Sequence, residues 1–148
     1  MRCSRIRLFV LVLLVFGVYF SQLSAADKVD LKKVAKEVSA DKAVLLDVRE
    51  RDELQEDGLA KGALWLPNTE IRVASKGWES FLNRTPKEKK IYIYCRSGGR
   101  AGQVKDRLVE KGYTSVSNIG GLKDWKAQGL PTIPFGQKGA PNPNDGKD

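Results

Sequence analysis

Apolar residues recur along the chain in short blocks whose spacing alternates between the helical and the extended period. Leu31, Val34 and Val38 follow Asp30 at helical intervals, so a short amphipathic helix capped by the aspartate is expected there. Ala43-Val44-Leu45-Leu46 is a continuous apolar run that reads as a buried strand, and it ends in Asp47-Val48-Arg49-Glu50. A polar helical turn from Arg51 to Glu56 leads through Gly58 and Gly62 to a short strand, Ala63 to Leu66, closed by Pro67. Trp78, Phe81 and Leu82 mark a further helix face. Ile91-Tyr92-Ile93-Tyr94 is rich in β-formers and stops at Cys95, after which Ala101 to Lys111 carries Val104, Leu108 and Val109 at helical spacing. Gly112 stops that helix, Val116 to Ile119 form another strand, and Gly120-Gly121 open a last helix with Leu122 and Trp125. Strands alternating with helices predict an α/β fold with a mainly parallel sheet.

The two ends depart from this pattern. Arg2, Arg5 and Arg7 precede an apolar run from Leu8 to Phe20 and the small residues Ser24-Ala25-Ala26, the pattern of a secretory signal peptide over residues 1–26. The run falls short of the roughly 20 residues of a bilayer span, so no membrane span is expected to persist after processing, and an exported, periplasmic protein is. From Gly136 the chain is Gly, Pro, Asn and charge with nothing apolar to bury, which predicts a disordered tail over 136–148 and one domain over 27–135.

Composition narrows the function. The formal charge of +8 falls to about +5 without the leader arginines, and the remaining lysines are interspersed with Glu and Asp without aromatics. That is the pattern of a solvated surface, so no nucleic-acid partner is expected. Histidine is absent, which removes Ser/His/Asp and Cys/His relays and the usual zinc and iron ligand sets; no metal site and no cofactor are expected.

Losing the leader also removes Cys3, leaving Cys95 as the one thiol of a protein sent to an oxidising space. Such a cysteine is a buried bystander, an intermolecular disulfide partner or a reactive group. The flanking residues favour the last. A thiol at the carboxyl end of a strand, followed by a glycine-containing turn into a helix, meets converging backbone N–H groups and the positive helix end. That lowers its pKa from about 8.5 toward roughly 3.5–7.5. In Cys95-Arg96-Ser97-Gly98-Gly99-Arg100 the glycines permit close backbone approach and the arginines supply charge for an anionic substrate. Asp47 and Arg49, at the end of the neighbouring strand, are either supports for this loop or a strand-end salt bridge.

DVRE at Asp47–Glu50, CRSGGR at Cys95–Arg100 and GGLKDW at Gly120–Trp125 resemble the rhodanese family, and most of all its small periplasmic single-domain members of the phage shock protein E type. The resemblance implies a central five-stranded, mainly parallel sheet flanked by helices, with the cysteine loop at its carboxyl edge. It implies thiosulfate sulfurtransferase activity, with a Cys95 persulfide passing sulfane sulfur to cyanide or another thiophilic acceptor such as a thiol. Arg96, Ser97, Gly98, Gly99 and Arg100 are then the residues that hold the donor, and the protein is expected to be a monomer. Phosphatase relatives place Arg six positions after Cys, whereas here that position is Ala101 and Arg100 is fifth, a shorter cradle that suits a sulfane sulfur. A non-enzymatic module that keeps the fold to hold an anion or a partner is the alternative.

Overall fold

The computed structural model describes residues 29–136; the expected leader, its cleavage point and the tail beyond Gly136 lie outside the described residues. In chain order the elements are α1 (Leu31–Ser39), β1 (Ala43–Asp47), α2 (Arg51–Asp57), β2 (Leu59–Ala60), β3 (Ala63–Trp65), α3 (Asn68–Arg72), α4 (Lys76–Arg84), β4 (Lys90–Cys95), α5 (Gly99–Glu110), β5 (Val116–Gly121), α6 (Leu122–Ala127) and β6 (Thr132–Ile133). Asp30 caps α1 as expected, its carboxylate accepting from the N–H groups of Lys32 and Lys33.

The strands β3, β1, β4 and β5 lie side by side in that order, all parallel. The central sheet therefore has four strands where the resemblance implied five. The remaining extended residues form a separate antiparallel pair, Leu59 opposite Ile133 and Ala60 opposite Thr132. Gly58, at φ +67°, turns the chain from α2 into this pair, and a Cβ there would strike the Ile133 carbonyl.

Side chains alternate across the sheet, as the strand period requires. Leu45, Tyr92 and Tyr94 point into a core shared with α1, α2 and α6 through Leu31, Val34, Leu54 and Trp125. Leu46, Ile91, Ile93 and Cys95 point into the opposite core with Ile71, Trp78, Phe81, Val104 and Leu108 of α3, α4 and α5. A sheet covered on both faces explains why the strands read as nearly continuous apolar runs. It also brings the ends of β1, β4 and β5 together at one edge, where open parallel sheets hold their ligands.

Candidate functional site

Cys95 is the last residue of β4 and is 1% exposed. Gly98 adopts φ +97°, a conformation that a Cβ disfavours, and thereby turns the chain so that α5 starts immediately after it. In this turn the Gly98 N–H donates to Cys95 Sγ at 3.1 Å. Burial pushes the thiol pKa up, but the backbone N–H groups of Ala101, Ser97, Gly98 and Arg100 together outweigh it and hold the pKa below its ordinary value. Burial alone would fit an inert core cysteine, but hydrogen bonds that favour the thiolate do not.

Two residues of β5 shape this turn from beneath. Asn118 donates through Nδ2 to the Gly98 carbonyl at 2.9 Å and accepts through Oδ1 from the Gly120 N–H at 3.0 Å, tying the loop to the strand. Gly121 pairs with Cys95 in the sheet, and a Cβ on it would collide with the Arg96 carbonyl. In the sequence Gly120-Gly121 mark the opening of the last helix; Gly121 lies directly under the loop. Asn118 gave no signal, because its partner is 20 positions away in the chain.

Asp47 and Arg49 form a buried ion pair at 2.8 Å, both side chains at most 1% exposed. Burial opposes the Arg49 charge, yet the hydrogen bond and field of Asp47 raise its pKa above the ordinary value. Arg49 also donates to the carbonyls of Gly58 and Glu53, and its own carbonyl accepts from Trp65 Nε1 at 2.9 Å. Tyr94, its pKa raised by burial and by Asp47, accepts from the Ala60 N–H. Each buried polar group thus has a partner, which a pair in low dielectric requires.

The pair connects to the cysteine loop through Glu53, a residue that the sequence did not single out. Glu53 closes a capping box at the start of α2, accepting from the Glu50 N–H at 3.0 Å, and holds Arg100 by two contacts of 2.6 and 2.7 Å. The only hint in the sequence is the acidic pair Glu50 and Glu53 at capping spacing. Arg100 is consequently turned toward α2, where its guanidinium pairs with the Glu53 carboxylate.

Arg96 and Ser97 are the exposed side chains of the loop. Beside them a cavity of about 180 Å³ is lined by Arg49, Asp57, Arg96, Leu122, Lys123 and Lys126. Of the sequence-predicted residues, the structure gathers Cys95, Gly98 and Gly99 into one turn, leaves Arg96 and Ser97 at its rim, and places Asp47, Arg49 and Arg100 behind it. No cluster of three or more His, Cys, Asp or Glu side chains able to hold a metal occurs among the described residues, and none of their helices is long and apolar enough to cross a membrane.

Comparison with known proteins gives this arrangement a context. The family described as the rhodanese-like domain matches residues 30–128. The thiosulfate sulfurtransferase PspE of Escherichia coli (strain K12) is 36% identical over 80 residues, 53% of this chain and 70% of that protein. A sulfurtransferase of Allochromatium vinosum is 31% identical over 109 residues, covering 72% of this chain and 94% of its own length. The structure of a human single-domain sulfurtransferase superposes with a TM-score of 0.57 at 25% identity, over 70% of this chain and 98% of that one.

Proposed function

Because the chain belongs to the rhodanese-like domain family, we propose that it is a thiosulfate sulfurtransferase in which Cys95 carries the transferred sulfur as a persulfide. The observation that carries the reading is the Cys95 sulfur in its turn of backbone N–H groups, with Gly98 donating at 3.1 Å and the thiol pKa lowered. Thiolate is the nucleophilic form, and the same N–H groups suit the negative charge of a persulfide once it is formed.

In the proposed cycle the Cys95 thiolate attacks the outer sulfur of thiosulfate. A new S–S bond forms as the donor S–S bond breaks, and the bonding pair leaves with sulfite. Cyanide or a thiolate then attacks the outer persulfide sulfur, and the electron pair returns to Cys95. Arg96 and Ser97 receive the sulfonate at the rim, Gly98 and Gly99 supply close backbone approach, and Arg100 anchors the start of α5 through Glu53. Asp47 and Arg49 support Glu53 from behind. The protein works as a monomer in the periplasm, a location supported by the leader pattern of residues 1–26. Sequencing the amino terminus of the exported form should find it near Asp27.

The test of the activity is Cys95→Ser. Serine is nearly isosteric but cannot form a persulfide, so thiosulfate:cyanide transfer should vanish while cooperative melting persists. Retained turnover in a folded Cys95→Ser protein would overturn the proposal.

A further inference from the structure

The cavity lined by Arg96, the residue that follows Cys95, is cationic. Its lining sets Arg96, Lys123 and Lys126 against one exposed carboxylate, Asp57, since the charge of Arg49 is met by the buried Asp47. Lys126 pairs with Asp57 at 2.8 Å, but both side chains are largely in solvent, 41% and 58% exposed, so the pair is weakly held. Arg96 and Lys123 have no carboxylate within ion-pair distance among the described residues. The volume of about 180 Å³ is smaller than the several hundred Å³ of a site that engulfs a whole ligand, so this cavity fits the end group of a small one.

The positions of the charges separate two roles. Arg96 adjoins Cys95 in the chain, the position read above as receiving the sulfonate bonded to the transferred sulfur. Lys123 lies two residues beyond Gly121, the sheet partner of Cys95, and Lys126 follows on the same face of α6, roughly one turn or about 5 Å further. A group bound there is separated from the reacting sulfur by several bonds. Leu122, 3% exposed and part of the core, closes the floor of the same cavity.

We propose that Lys123 and Lys126 form the acceptor subsite and select a small thiol carrying a carboxylate, whose sulfur meets the persulfide. This inference rests on the persulfide reading above. In the transfer step the acceptor thiolate attacks the outer persulfide sulfur, its S–S bond forms as the bond to Cys95 Sγ breaks, and Cys95 leaves as the thiolate. The acceptor departs as its own persulfide with no oxidant or reductant consumed.

The experiment loads the full-length mature protein with thiosulfate, removes excess donor and follows the decay of the protein persulfide in single turnover. Mercaptopropionate and mercaptoethanol serve as acceptors, each rate being corrected for its thiolate fraction. The ratio of the two rates, compared between variants, cancels the intrinsic reactivity of the thiols. In Lys123→Gln/Lys126→Gln the preference for mercaptopropionate should fall about five- to tenfold, and in Asp57→Asn it should rise severalfold. Both changes should shrink at high salt, because the charges are exposed. A preference unchanged within twofold in a loaded, folded double variant overturns the inference. If that variant does not melt cooperatively, Asp57→Asn decides, and a preference that fails to rise overturns it equally. Failure of thiosulfate to load the wild-type protein is a different outcome, which removes the persulfide reading and this inference with it.

Discussion

Gly121→Ala places a methyl group where β5 passes under the cysteine loop. The atoms it meets are the Arg96 carbonyl oxygen and carbon and the Ser97 nitrogen, all backbone, so no rotamer change can relieve the overlap. Either β5 or the loop must move, and Cys95 belongs to both the loop and the sheet pairing with Gly121. Overpacking of this kind costs about 1–3 kcal/mol. At roughly 4–8 °C per kcal/mol for a domain near this size, the melting temperature should fall by about 5–20 °C. The loss of activity should exceed what the loss of fold explains, since misplacing a reacting group by about 1 Å can cost on the order of a hundredfold. Gly99→Ala is the internal contrast for stability alone, since Gly99 is read above as a position that meets the donor. Its φ is not positive and nothing lies within 4 Å of the added Cβ, so alanine in the first turn of α5 should stabilise by about 0.4–1 kcal/mol. The assay is thermal melting of both variants beside kcat/KM for thiosulfate:cyanide transfer at a temperature where both are folded. A Gly121→Ala protein that melts with the wild type and keeps kcat/KM within twofold would refute the close-approach argument.

Two further outcomes follow from the charges around the loop. Glu53 is held below the usual carboxylate range, first by the hydrogen bonds of Arg100 and, against burial, by the Glu50 N–H. A depressed pKa contributes stability above the unfolded value of about 4.3 and loses it as pH falls through the folded value. Glu53→Gln should therefore melt below the wild type at neutral pH, by an amount corresponding to about 1–2 kcal/mol for a partly solvated bidentate pair, and the gap should close below about pH 4. A gap that stays constant between pH 7 and pH 3.5 counts against the pair. Arg96→Ala should raise KM for thiosulfate and lower kcat/KM roughly tenfold to a hundredfold, because a charge-assisted contact in a partly desolvated cradle contributes about 1.5–3 kcal/mol. Steady-state kinetics at wild-type kcat/KM would leave donor binding to the backbone N–H groups alone.

The parts of this protein that were legible in its sequence are those written in local periodicity. Asp30 before Leu31 and Val34 marks α1, and the apolar runs at Ala43–Leu46 and Ile91–Tyr94 mark the two central strands. The α3 helix was not legible, because five residues after Pro67 hold too little apolar pattern to be distinguished from a turn. The pair β2 and β6 comprises two residues each, and its antiparallel contact joins segments far apart in the chain. At the site, the strand-end thiol and its glycine turn were visible as a contiguous motif. The partner of Arg100 was not, because only folding brings Glu53, 47 positions earlier, against it. Asp47 and Arg49 read as a salt bridge or as support for the loop; the buried pair is present, and Arg49 reaches the Glu53 carbonyl, so the two descriptions merge.

The central claim is that sulfur travels covalently on Cys95, and intact mass spectrometry of the mature protein tests it most directly. After brief treatment with thiosulfate and removal of the donor, the protein should be heavier by one sulfur atom, with sulfite released in equal amount. Addition of cyanide should return the original mass, and Cys95→Ser should show no gain at any stage. A wild-type protein that remains at its original mass, or a Cys95→Ser protein that gains sulfur equally, would contradict the account.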